Sequence, residues 1–432
     1  MGMRTRTNPG AWSAAGTAAA VSVVLLLAGC TAAAPDATST RTPTATSDAG
    51  IPGTADPAEV AAIQEAVTAA MEASHIRAAI VRVTRGDEVV ITEAWGDSMA
   101  GVPATTDMHF RNGAVAISEV ATVLLQLVDE GTVSLDDRLS EWLPVVPNAD
   151  KITLIQLAQM TSGYADYVQD ADFIEAFNRD PYRQWEPEEL YAYGTDRPLL
   201  FEPGTNWSYA HTNYVLLSLA LEEITGRPLA EVIKERILDP LEMTQTTDPG
   251  TPEILDPVLH AFDSERREYF QVPEGEPFIE DSTFWNPSWS IGRGSIQNTD
   301  ITDMATVIRA VARGDLVSAE SHEQQIAPTL RGKTTALDAC PHTCFEQHEF
   351  YTYGYGIILS GDWLLQNPQF HGFAGVAAYL PSDDVTIAVA ATYDDEAFDP
   401  ATGAAIPSNI ANPLFAAVAG VVAPEASTPG SG

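Results

Sequence analysis

Apolar positions along this chain change period four times. Over residues 58–76 they recur at helical spacing, with Val60, Ile63, Val67 and Met71 on one face, which predicts an amphipathic helix. The following stretch, AAIVRVTRGDEVVITEAWG, is rich in β-branched residues on both sides of Arg85-Gly86-Asp87 and predicts a hairpin. Residues 114–130 are apolar almost all round, with Val120, Val123, Leu124, Leu127 and Val128 directed inward. A helix of that kind is buried between layers, and Gly131 is placed to end it. From about 137 to 335 the pattern is helices and long loops, with helices over 153–160, 213–225 and 229–237. A β pattern returns at 353–361, 376–381 and 385–393, and a helix at about 408–421 closes the chain.

Strands at both ends that bracket a helical insert predict an α/β (α+β) two-lobed fold, with one antiparallel sheet flanked by helices. The sheet lobe would take about 58–136 plus 350–423, and the helical lobe about 137–349.

Composition narrows the partners. The chain has 432 residues, 45% of them hydrophobic, enough for a large core. Sixty acidic residues stand against 22 basic ones, a formal charge of -38, which excludes a nucleic-acid partner and repels anions. Arg4 and Arg6 precede an apolar, small-residue run at 13–27 that ends in LLAGC. This resembles the lipobox of bacterial lipoproteins, so residues 1–29 are expected to be a signal peptide and Cys30 the lipidated residue, with the protein exported and anchored on the outer face of the cytoplasmic membrane. An ordinary signal peptide with a chance cysteine is the plainer alternative. The Ala/Thr/Ser/Pro/Gly-rich stretch to residue 57 is expected to be a disordered tether, and 424–432 a disordered tail. Cys340 and Cys344, in CPHTC, are expected to form a local disulfide outside the cytoplasm. A metal site of Cys340, His342, Cys344 and His348 is the alternative, with a spacing that matches no structural zinc pattern.

Several segments, in order, resemble the serine β-lactamase/penicillin-binding-protein-like hydrolases, in the manner of the class C β-lactamase and D-alanyl-D-alanine carboxypeptidase branch. They are HFRNGAVAISEVATVLLQLVDEGTVSLDD, ITLIQLAQMTSGYADY, FEPGTNWSYAHTNYVLLSLALEEITGRPL, PLEMTQT, WNPSWSIGRGSIQNTDITDMA and FHGFAGVAAYLP, and together they cover roughly 58–423. The resemblance implies a nucleophilic Ser at the start of the buried helix, with a Lys three residues on sharing its face. Here those positions carry Ala114 and Ile117. The three lysines, Lys151, Lys234 and Lys333, are preceded at three residues by Asn148, Glu231 and Leu330, so no Ser-x-x-Lys exists in the chain. Ser118 lies one turn beyond Ala114, again with no Lys three residues after it, and reads as a packed helix serine.

Other motifs are partly kept. Tyr209-Ala210-His211 matches Tyr-x-Asn, and Met160 replaces the His of the family's His-Thr-Ser-Gly. His371-Gly372 matches the start of His-x-Gly, with Phe373 in place of the last Gly. The resemblance implies that Tyr209, His211, His371 and Gly372 share one cleft beside the helix start. Trp285 and Trp289 could form an aromatic wall or belong to the core, and Tyr164, Tyr167 and Trp207 divide the same way. The expectation is a catalytically impaired relative that binds a cell-wall peptide or small extracellular ligand, with no cofactor and no metal. A hydrolase working through Tyr209, His211 and His371, or a structural, partner-binding lipoprotein, are the alternatives.

Overall fold

The structure is a computed structural model that describes residues 55–428. The lipobox with Cys30 and nearly all of the expected tether lie outside the described residues. Asp56 starts the fold: its carboxylate accepts the Ala58 N–H at 2.9 Å and Pro57 takes the first helical position, where its missing N–H costs nothing. Helix α1 (Pro57–Ala73) buries Ile63 and Val67, the face its periodicity predicts.

Strands β1 (Ile76–Arg85) and β2 (Glu88–Met99) form the hairpin, turning at Gly86 with φ +58°. The late strands are β3 (Ile358–Ser360), β4 (Trp363–Gln366), β5 (Phe373–Leu380) and β6 (Val385–Tyr393). N- and C-terminal halves meet where β1 pairs antiparallel with β6, Val81 opposite Val389, and β6 pairs with β5, Val389 opposite Val376. The sheet is nine-stranded and antiparallel, with the order β2-β1-β6-β5-β4-β3 at its centre. Helix α5 (Ala411–Val422) packs on α1 and on β6, while α4 (Ile301–Arg313) lies on β1, β5 and β6 and is packed in turn by α2 (Val115–Asp129). Every residue of α2 from Val115 to Leu125 is buried, as expected of a helix between layers. Gly131 ends it in the left-handed region, φ +70°.

Three expectations are corrected. The run at 353–361 is not one strand. It breaks at Gly356, whose backbone lies against α2 so closely that a Cβ there would sit 2.5 Å from the Ala121 Cβ and 2.8 Å from the Ile117 oxygen. The Ser118 hydroxyl donates to the Gly356 carbonyl at 2.5 Å, which fixes Ser118 as a buried packing residue. The helix expected at 229–237 is α-helical only over Leu229–Ile233 and widens to a π-helix over Lys234–Leu238. The expected tail is packed at least to Thr428: Ser427 and Asp362 exchange hydrogen bonds at 2.8 and 3.2 Å, and Thr428 accepts from the Trp363 indole at 3.3 Å.

Candidate ligand cleft at the start of the buried helix

A cleft of about 320 Å³ opens at the N-terminal end of α2. Gly113, Ala114 and Ile117 form one side of it, and Tyr209, His211 and Trp289 another. The two positions where the resemblance places Ser and Lys therefore face the cleft as a methyl group and a branched alkyl chain. Neither can donate, accept or carry charge.

His211 opens helix α3 (His211–Thr225). It is held by Asp166, a residue the sequence reading did not single out. The buried Asp166 carboxylate accepts the His211 backbone N–H at 3.0 Å and faces Nδ1 at 3.2 and 3.3 Å. Nε2, the other ring nitrogen, has no protein partner among the described residues. Tyr209 precedes the helix with its ring edge on His211, centroids 5.4 Å apart. Burial first, then the Asp166 carboxylate, push its phenol pKa up, so it is protonated at neutral pH and no base.

Cys340 and Cys344 are joined by a disulfide, which leaves neither sulfur free for a metal. The loop it closes holds Tyr209 in place: the Tyr209 N–H donates to the Thr343 carbonyl at 3.1 Å, and the Ser208 hydroxyl donates to the Thr343 hydroxyl at 2.9 Å.

His371 and Gly372 do not line the cleft. The strand segment beside the helix start is 366–370, with Gln366, Asn367, Gln369 and Phe370 on the wall. Pro368 sits so close to Gly113 (φ +51°) that a Cβ on Gly113 would lie 2.6 Å from the Pro368 Cβ. The chain then turns outward at His371-Gly372, and a Cβ on Gly372 would meet the Phe262 oxygen at 2.5 Å. His371 lies behind the Trp289 wall, 4.9 Å between ring centroids, and is stacked on Phe177 at 4.6 Å. Its Nδ1 faces Glu265 at 3.4 Å and Asp263 at 3.8 Å, long for hydrogen bonds, so the attraction is chiefly between charges. Burial alone would lower the imidazole pKa, but Asp263 and Glu265 outweigh it and raise it to about 9. These three residues could present ligand atoms within 4.8 Å of one another to a metal ion. With His371 protonated they form an ion-paired cluster that supports Trp289 from behind.

The remaining aromatic expectations divide. Trp289 lines the cleft and stacks on Phe370 at 5.2 Å. Trp285 packs between Phe177 and His371, while Tyr164, Tyr167 and Trp207 are buried core residues. The Tyr167 hydroxyl donates to the carbonyls of Trp289 and Ser290, which positions that wall. Phe373, on β5, neither fills nor narrows the cleft.

The sequence reading also missed Glu119. It is buried in α2, neither carboxylate oxygen makes a well-formed protein hydrogen bond, and burial raises its pKa to about 8, only partly countered by the nearby Asn112 amide. A charged residue amid the apolar run at 115–125 was its signal.

The fold agrees with what comparison finds. The Beta-lactamase family profile matches residues 63–407. The chain belongs to this family, the β-lactamase/penicillin-binding-protein-like serine hydrolases. It is 25% identical to penicillin-binding protein 4* of Bacillus subtilis over 275 residues, 61% of this chain and 54% of that one. It is 29% identical to esterase EstB of Burkholderia gladioli over 202 residues, 44% of this chain and 51% of the other. The chain thus spans about half the length of these curated relatives. Among solved structures, a D-stereospecific amidohydrolase from Streptomyces sp. matches with TM-score 0.64 and 27% identity, covering 77% of this chain and 94% of that one. The D-amino acid amidase of Ochrobactrum anthropi shares the fold, with TM-score 0.66 and 20% identity over 84% of this chain and 97% of its own.

Proposed function

We propose that this chain is an exported, lipid-anchored member of the β-lactamase family whose cleft binds a ligand without forming an acyl-serine. One observation carries the reading: Ala114 and Ile117 occupy the cleft wall at the helix start. The family's acyl transfer needs a nucleophile there and a base one turn on. The relatives' names, penicillin-binding protein and D-stereospecific amidohydrolase, support a cell-wall peptide or D-amino-acid derivative as the ligand. Arg4, Arg6, LLAGC and the polar stretch after Cys30 support export and lipidation. Among the described residues no helix is long and apolar enough to cross a membrane. Fractionation of cells that express the Cys30→Ala variant tests the anchor: equal membrane association of variant and wild type would refute it.

A second reading rests on the pairing of Asp166 with His211. An imidazole oriented by a buried carboxylate through Nδ1 can take a proton from water at Nε2 and act as a general base. Chromogenic ester turnover at neutral pH separates the two. Turnover that His211→Gln abolishes supports the second reading, and no turnover above the buffer rate supports the first.

A further inference from the structure

The cleft beside α2 has an uncharged wall. Among the described residues that line it there is no Lys, Arg, Asp or Glu. Its polar part is mostly carboxamide, Gln366, Asn367, Gln369, Asn409 and Asn412, joined by the neutral hydroxyls of Tyr209, Ser290 and Ser408 and by the His211 ring. Two of these hold the wall itself, since Gln366 donates to the Gly356 carbonyl at 2.8 Å and Asn409 to the carbonyls of Asn367 and Pro368 at 3.0 Å. Gln369 and Asn412 are exposed, and Asn367 meets Asn412 only at 3.5 Å. These three are available to a ligand.

His211 does not charge the wall. Its Nδ1 lies 3.2 Å from the buried Asp166 carboxylate, so the pair brings no net positive charge to the cleft. The helix start offers little to an anion either. The N–H groups of Val115, Ala116 and Ile117 are spent on the carbonyls of Asn112, Gly113 and Ala114 at 3.2, 3.1 and 3.0 Å. What remains is the Gly113 and Ala114 amides, the free carboxamides, the Ser290 and Ser408 hydroxyls and His211 Nε2, a set with no fixed positive charge. A ligand carboxylate entering here would shed water with no cation to replace it. It would also approach a chain of formal charge -38.

We propose that this cleft selects an uncharged amide, an N-acylated amino acid whose carboxyl end is capped as a carboxamide, and excludes the free acid. The proposal rests on the ligand-binding reading above and narrows its ligand class.

Titration calorimetry at pH 7 with N-acetyl-D-phenylalanine amide and its near-isosteric acid, N-acetyl-D-phenylalanine, tests it. The amide is expected to bind at least about tenfold more tightly than the acid, because like charge and uncompensated desolvation both oppose the acid. Gln369→Lys and Asn412→Arg, each at an exposed position, are expected to narrow that gap by raising affinity for the acid. Acid binding equal to or tighter than amide binding in the wild type overturns the proposal and leaves the ligand-binding reading standing. If neither compound binds, and the N-acetyl amides of alanine, leucine and glutamine also fail, the ligand-binding reading falls and the proposal with it.

Discussion

The Asp166 carboxylate holds His211 at two points, its backbone N–H at 3.0 Å and its Nδ1 at 3.2 Å. One buried acid therefore satisfies the first turn of α3 and orients the ring that faces the cleft. Asp166→Ala is expected to destabilise the fold by about 1–3 kcal/mol, the cost of leaving a buried donor unmatched. Asp166→Asn, which keeps an acceptor oxygen, should cost less. Urea unfolding of the three proteins checks the order, and an Ala variant as stable as wild type would show that the contact contributes nothing.

Glu119 and His371 carry the pH response furthest toward alkaline pH, and Asp303, raised to about 6 chiefly by burial, adds to it below that. The folded-state pKa of Glu119 is raised to about 8 and that of His371 to about 9, so in each case the folded chain holds protons that the unfolded chain has released. Folded proteins with excess bound protons lose stability as pH rises. Glu119 should contribute to this loss from its ordinary value of 4.5 up to about 8, and His371 from 6.5 up to about 9. Thermal melts should fall steadily between pH 5 and 9. Glu119→Gln should melt above wild type at pH 8, with the advantage shrinking toward pH 5. An advantage independent of pH would contradict the assignment.

The disulfide between Cys340 and Cys344 closes a very short loop, so its entropic contribution is about 2 kcal/mol or less. Its main effect should be local, through the Thr343 carbonyl that accepts the Tyr209 N–H. Reduction, or the Cys340→Ser/Cys344→Ser pair, should lower the melting temperature only slightly while speeding hydrogen exchange of the segment around Tyr209. Unchanged exchange there would separate the loop from the cleft wall.

Gly113 is required by its neighbour. With φ +51° and Pro368 where a Cβ would go, Gly113→Ala should cost about 1–3 kcal/mol in backbone strain and push segment 366–370 away from the helix. A melting temperature within error of wild type would show that the two segments separate freely.

The sheet and the buried helix were legible in the sequence because period 2 and period 3.6 are local signals, strong in β6 and α2. The break at Gly356 was not, since its cause is the approach of α2 more than two hundred residues earlier in the chain. The cleft was legible at Ala114, Ile117, Tyr209 and His211, which sit in long matched segments. It was misread at His371-Gly372, where a two-residue match outweighed the residues just before it. Gln366, Asn367 and Gln369 face the helix start only because Pro368 packs on Gly113, a tertiary contact without a local pattern. Asp166 lay inside a matched segment, but its role needs the start of α3 beside it.

The central claim, a family cleft without acyl-serine chemistry, is tested most directly by intact-protein mass after exposure to a fluorescent penicillin and to a fluorophosphonate. The wild type should gain no adduct, and neither Ala114→Ser nor Ile117→Lys alone should gain more than a trace. The double variant Ala114→Ser/Ile117→Lys should gain labelling at residue 114, because nucleophile and base act as a unit. A covalent adduct on the wild type, mapped to Ser290 or Ser408 at the cleft edge or to any other serine, would contradict the account.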